Sequence, residues 1–423
     1  MGWNPILTGA LRETALESAA ALTRSLAPAR AADQRNASLA VGSAGLAVCH
    51  AVSAQGGHDE RARELAIASM DSAIDVLASQ SLSMSLYSGF TGIAWAADLV
   101  DRLIPGAVAD RNDDIDRALT RAIRRYPSSG PYDLIDGLTG LGIYSLARWP
   151  RPAAVECLAG VLEQLAGRAR RDAHGVYWWT PAALLGPRRQ LYPAGGVDIG
   201  MAHGMAAVLP LLARACALGV SEPTVRPLLD GAVRWLLEHL VDAPAGRTTP
   251  SFITDHAAPA PARSAWCYGD PGVAMALLLA ARDVSEPSWE LAGTELAVRA
   301  ASRPPELSGV ADAGFCHGAA GLAHLFARTH QLTGRQELAG AATFWMERTL
   351  GMCAHLVEAE NAPPGPGAGI ESPPAAAPAW NGPGLLEGAA GIALVLLAGC
   401  LPAEPAWDQV LLVSTGIAAP VSA

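Results

Sequence analysis

Apolar residues run along this chain in blocks, and seven of those blocks open on one signal, a Gly-x-x-Gly followed by an aliphatic stretch. The copies are Gly42-Ser-Ala-Gly45, Gly89-Phe-Thr-Gly92, Gly137-Leu-Thr-Gly140, Gly204-Met-Ala-Ala207, Gly269-Asp-Pro-Gly272, Gly318-Ala-Ala-Gly321 and Gly388-Ala-Ala-Gly391. Their first glycines lie 47, 48, 67, 65, 49 and 70 residues apart, spacings that suit one helical hairpin per repeat with loops of varying length. Each copy reads as a helix N-terminus: glycine permits the tight turn and close backbone approach, and an apolar helix follows. The fourth has Ala207 in place of the second glycine, where a methyl group should be tolerated in a helical turn. Amphipathic stretches such as 59–78 and 207–218 lie between the copies. The pattern therefore predicts seven pairs, an apolar inner and an amphipathic outer helix, stacked into a ring because no pair can bury its own faces. An open solenoid is the alternative. Either way the expected organisation is one domain over 1–423, with a repeat core of about 39–414.

Composition agrees with an all-α chain: half the residues are apolar, only 5% are aromatic, and alanine and leucine outweigh β-branched runs. The longer intervals hold loops. The segment 362–384, rich in proline, glycine and alanine, reads as a surface loop or lid. The segment 175–200, with Tyr177-Trp178-Trp179-Thr180-Pro181, reads either as a packed outer loop or as a peptide-docking wall at the ring's mouth. A net charge of −10 with scattered arginines argues against nucleic acid. The longest apolar stretch, around Ala389–Leu401, is shorter than the roughly 20 residues a bilayer needs, and residues 1–8 show no secretory signal. A soluble, cytoplasmic protein without a transmembrane segment is expected. Seven widely spread cysteines make no disulfide framework there, so most should be small buried residues and some metal ligands.

Aligned on their first glycines, the copies carry Val41, Ser88, Asp136, His203, Tyr268, His317 and Glu387 just before it, six of them polar in a chain that is half apolar. One position further back stand Cys267 and Cys316 in adjacent copies. If the inner helices run parallel around a ring, these residues converge at one mouth. Cys267, Cys316 and His317 then form a set that suits Zn²⁺ with a fourth position open. Two buried cysteines and a core histidine are the bland reading. His203, in the same register without a cysteine partner, is a candidate acid/base. Asp133 could hold its imidazole or simply cap a helix, and Arg263 could steady a developing anion or lie on the surface. Cys49 reads as core, and the other eight histidines, out of register, as surface or packing residues.

Trp266-Cys267-Tyr268-Gly269 and Cys316-His317-Gly318 resemble motifs of the lanthionine synthetase C-like family. Ala202-His203-Gly204, the stretch 132–140, Trp179-Thr180-Pro181 and Trp407-Asp408-Gln409 support the likeness, which runs from about 39 to 414. The resemblance implies an α/α toroid of two concentric seven-helix layers, zinc on Cys267, Cys316 and His317, and active-site roles for His203, Asp133 and Arg263. It also implies a cyclase that adds peptide cysteine thiols to dehydroalanine or dehydrobutyrine, with inner-helix N-termini lending positive potential where enolate charge develops. The expected partners are a dehydrated precursor peptide and a separate dehydratase. A zinc-containing glutathione- or peptide-binding protein of the same fold, and a glycosidase using Asp136 and Glu387, are the competing readings.

Overall fold

The computed structural model describes residues 3–26, 36–55, 60–106, 112–243, 246–361 and 382–414, so the loop expected over 362–384 lies outside the described residues except for its last three, as do Asp59 and His58. Seven inner helices follow the seven signals: α2 (Ser43–Gln55), α4 (Phe90–Leu103), α6 (Leu138–Ala147), α8 (Val208–Ala217), α10 (Asp270–Val284), α12 (Ala319–Thr333) and α14 (Ala389–Cys400). Seven more lie outside them: α1 (Gly9–Ser25), α3 (Glu60–Ser79), α5 (Asp113–Ile123), α7 (Pro152–Arg168), α9 (Glu222–Glu238), α11 (Pro287–Ala301) and α13 (Gln336–Asn361). The layers differ as their composition requires. Every residue of α14 is buried, whereas α3 buries only Ala62, Ala66, Met70, Ala73 and Val76, one face at helical spacing.

One turn, repeated, delivers the chain into each inner helix. The carbonyl six positions before the first glycine accepts the N–H of the residue just after it, as in Asn36–Ser43 (2.9 Å), Ser83–Phe90 (2.9 Å), Pro131–Leu138 (3.2 Å), Asp312–Ala319 (2.9 Å) and Gly382–Ala389 (3.1 Å). First-turn N–H groups that a helix leaves unpaired are thus satisfied by the turn that precedes it. Folding back this closely brings another carbonyl against the second glycine. A Cβ there would sit 2.3 Å from the Leu39 oxygen at Gly45, 2.0 Å from Leu86 at Gly92 and 1.8 Å from Phe315 at Gly321. Copy four shows how Ala207 is accommodated: Met205–Ala207 wind as a 3₁₀ turn, and α8 starts only at Val208.

The turns also bond to one another. The residues two positions before each first glycine form a backbone belt: Ala40 N–H to Tyr87 O (3.0 Å), Tyr87 to Ile135 (3.3 Å), Cys267 to Cys316 (3.2 Å) and Cys316 to Leu386 (2.7 Å). Met201 N–H reaches Cys267 O at 2.9 Å, and Leu386 N–H returns to Ala40 O at 3.3 Å. That last bond joins copy seven to copy one, so the ring is closed and the fold is an α/α toroid, not an open solenoid.

Two assignments from the pattern change. The stretch 207–218 was grouped with the amphipathic helices, but α8 is the inner helix of copy four, buried from Val208 to Ala213; its outer partner is α9. The outer helix packed on α14 comes from the N-terminus, ahead of the expected repeat core. α1 is fixed there by Leu7 N–H to Gly399 O (3.0 Å), Trp3 Nε1 to Ala398 O (3.0 Å) and Arg12 Nε to Cys400 O (3.2 Å). The fourth glycine signal already implied an inner helix at α8, whereas α1 carries no copy of the signal and could not be read from glycine spacing.

The C-terminal segment runs through the ring's interior. Tyr87 Oη donates to Val410 O (2.9 Å) and Trp266 Nε1 to Leu411 O (2.9 Å), while Trp407 packs edge-on against Phe315. Buried Asp408 accepts from His324 Nε2 and Arg328 Nε, each at 2.7 Å, so the segment's one buried charge is compensated. His324 and the fully buried His50 are packing histidines, as their register implied.

Gly321→Ala should lower stability by on the order of 3 kcal/mol, because the clash is with backbone that cannot swing away. Gly340→Ala, in α13 with nothing within 4 Å of the added methyl, should raise it by about 0.5–1 kcal/mol. Urea unfolding of the two variants beside the parent checks both signs.

Candidate active site

Three ligand atoms, from Cys267, Cys316 and His317, lie within 4.8 Å of one another at the junction of copies five and six. The belt bond between the two cysteines sets their backbones side by side, and the turn before α12 places His317 next to them. A tetrahedral ion about 2.3 Å from two sulfurs would hold them about 3.8 Å apart, so the cluster has the size and the soft donors of a zinc site. Its electrostatics differ from those of the other thiols. A hydrogen bond from Cys316 draws the Cys267 thiol well below its ordinary value, helped by His317 and the Arg263 charge; Cys316, donor of that bond, is raised. Burial instead pushes Cys49 and Cys353 up to about 12 and Cys157, Cys216 and Cys400 up to about 11, as befits unreactive core residues. The His317 imidazole is raised, chiefly by its hydrogen bond to Cys267, and its Nε2 lies 3.5 Å from Asp312 Oδ2.

A second pair of titratable side chains is joined directly. His203 Nδ1 and Asp133 Oδ2 are 2.8 Å apart, and the other Asp133 oxygen accepts the Asp136 N–H at 2.8 Å. Asp133 therefore both caps its turn and holds the imidazole. With Nδ1–H given to the carboxylate, Nε2 is the nitrogen left for chemistry. The ring is 46% exposed, enough to meet a substrate, while Asp133 is almost covered. Burial pulls the His203 pKa down, but the hydrogen bond and charge of Asp133, with Asp198 and Asp136, outweigh it and leave it above 6.5.

Copies three and four carry Asp133 and His203. No backbone bond links Ile135 to Ala202 among the described residues; the side-chain bond spans that junction, and a cavity of about 420 Å³ opens beside it. Its walls include Pro131, Tyr132, Leu184, Leu185 and Arg188, besides His203 and Asp133. The two readings of 175–200 divide along this line. Tyr177 stacks on Trp235, Trp178 is buried with its Nε1 on Leu165 O (2.9 Å), and residues 180–188 form the cavity wall.

Arg263 is exposed, near enough to both cysteines to lower their pKa values. Tyr268 donates from Oη to buried Asp198 (2.9 Å). Ser88 and Asp136 are joined at 3.1 Å, and Glu387 adds negative charge beside Cys316, so the two carboxylates offered for glycosidase chemistry serve different neighbours. The glycine register missed Asp198, Arg188 and Asp312. The two aspartates have a signal of their own: each stands six positions before a first glycine and accepts the N–H two residues on, Gly200 at 2.9 Å and Gly314 at 2.8 Å, as Asn36 does for Ser38 at 3.1 Å.

The family model described as Lanthionine synthetase C-like protein matches residues 33–412. The chain belongs to this family. Among solved structures it is similar to nisin cyclase, with a TM-score of 0.72 and 19% identity over 90% of this chain and 93% of that one, a likeness of fold. No curated protein matches. Family membership fits the toroid, and among the described residues no helix is long and apolar enough to cross a membrane.

His203 should titrate above 6.5, and Asp133→Asn should bring it down, as followed by NMR of ¹⁵N-labelled imidazoles. Because the folded value is the raised one, the pair's contribution to stability is complete below pH 6.5 and fades as pH climbs through the folded pKa. An Asp133→Asn variant with an unmoved His203 midpoint would contradict this.

Proposed function

We propose that this protein is a zinc-dependent lanthipeptide cyclase, a single catalytic domain that closes thioether rings in a dehydrated precursor peptide. The observation that carries the reading is the Cys267/Cys316/His317 cluster together with the His203–Asp133 pair, brought near it where Met201 N–H bonds Cys267 O. A zinc ion held by the three ligands would acidify a peptide cysteine, whose thiol otherwise keeps its proton at neutral pH with a pKa of about 8.5. The protein's own groups do the rest. The cavity walls hold the segment bearing the dehydroalanine or dehydrobutyrine. Its β-carbon accepts the sulfur lone pair, the double-bond electrons move onto the adjacent carbonyl, and an enolate results. His203, its Nδ1–H held by Asp133, delivers a proton from Nε2 to the α-carbon. Arg263 lies close enough to steady the anion.

The helix N-termini contribute less than their number suggests. In copies three, six and seven three first-turn N–H groups, and in copies one and two one each, are bonded to the preceding turn's own carbonyls, so those groups are not free to donate to an enolate. A dehydratase acting beforehand must supply the substrate, since the chemistry starts from an alkene already made. The glutathione- or peptide-binding alternative keeps the metal cluster but gives the buttressed, half-exposed His203 no proton to transfer.

On a dehydrated precursor, the zinc-loaded protein should consume free thiols without a change of mass, read by alkylation and mass spectrometry. His203→Ala should lose about 10²–10⁴-fold in rate while keeping its metal. Cys316→Ala should lose both metal and activity. Unchanged cyclisation in His203→Ala would remove the acid role; a wild-type protein that binds no zinc would remove the reading.

A further inference from the structure

Asp198 is fully buried, yet it touches neither the metal cluster nor the His203 ring in any hydrogen bond. What it does touch is the frame that holds both. Oδ1 accepts the Gly200 N–H at 2.9 Å, shaping the turn that presents His203. Oδ2 accepts Tyr268 Oη at 2.9 Å, from the residue next to Cys267, and Arg188 Nη1 at 3.0 Å. Arg188 also bonds the Tyr268 hydroxyl and packs its guanidinium over the rings of Tyr268 (5.0 Å) and Phe252 (5.1 Å). The same segment presses on the metal motif directly: Met201 N–H bonds Cys267 O at 2.9 Å, and a Cβ on Gly200 would lie 2.5 Å from that oxygen and 2.6 Å from the Tyr268 ring.

We propose that Asp198 is a positioning residue of this centre: by tying the His203 turn to the phenol beside Cys267, it fixes the separation between the proton-transferring imidazole and the thiol-binding cluster. The inference rests on the cyclase reading for its effect on rate, but its geometry does not. Burying a carboxylate is costly unless it is fully bonded, and the three donors to Asp198 all come from segments that line the mouth. Burial pushes the Asp198 carboxyl and the Tyr268 phenol upward, and the Arg188 charge draws both back. Ordinary core packing would not need a charged residue here. Catalytic geometry does, because a misplacement of about 1 Å can cost about 10²-fold in rate.

Asp198→Asn is the informative change. Its remaining oxygen can keep the Gly200 N–H, while the amide nitrogen turns a donor toward the Arg188 donors and breaks the Oδ2 arm alone. Tyr268→Phe removes the same arm from its other end. With zinc-loaded proteins and a dehydrated peptide, each should lower kcat by about tenfold or more with KM within about twofold. Melting temperature and zinc content should be unchanged, and the double variant should be no worse than the poorer single. Independently of activity, the His203 midpoint should fall in Asp198→Asn, since Asp133, Asp136 and Asp198 are the carboxylates whose charge holds it up. Folded, zinc-loaded single variants with wild-type kcat, or losses that multiply in the double, overturn the proposal. If Asp198→Asn does not fold, Tyr268→Phe decides it. If the wild-type protein closes no rings, the cyclase reading fails by itself, and the His203 midpoint decides: unmoved in Asp198→Asn, it overturns the inference too.

Discussion

The backbone belt at the mouth is the constraint from which the rest follows. Hydrogen bonds between successive turns hold residues two positions before each first glycine in one circle, and the last of them, Leu386 to Ala40, shuts it. Cys267 and Cys316 are neighbours because they occupy that position in adjacent copies, although 48 residues separate them in the chain. The second glycine exists for the same reason: the belt can lie flat on the helix starts only if the carbonyls of Leu39, Leu86, Phe315 and their equivalents have no Cβ to avoid. Buried backbone without partners would be prohibitively costly, and the belt supplies the partners.

Where the belt is interrupted, side chains take over. At the junction of copies three and four, Asp133 and His203 bridge by side chains, and the cavity with Leu184, Leu185 and Arg188 occupies the gap. The two halves of the centre thus have different characters. The sulfur-rich half is held by the bonded backbone belt and only partly exposed; the imidazole half is more open, its Nδ1 bonded to Asp133. Both are displaced from ordinary titration behaviour by named neighbours, Cys316 for Cys267 and Asp133 against burial for His203.

Much of this was legible in the sequence because a repeat converts linear spacing into angular position. Aligning seven glycines was enough to bring Cys267, Cys316, His317 and His203 to one mouth, and the same alignment foretold the inner helices and their number. What escaped it had no periodic signature. α1 completes the outer layer from the far end of the chain, and Arg188 reaches the centre from an insertion without a copy of the signal; 207–218, by contrast, follows the fourth copy directly, which implied its inner place against its amphipathic look. Asp198 was missed for another reason: the alignment was read only one and two places before the glycine, whereas the turn begins six places before it.

The division of the seventh hairpin between the two ends of the polypeptide bears on how the molecule is made. α1 leaves the ribosome well before α14, and until they meet the outer layer lacks one member and the circle of turns one bond. The strip that threads the interior, 407–411, is later still. An emerging chain can stack its hairpins in order of synthesis, but the thiols and the imidazole stay on an open arc until α14 has emerged and met α1.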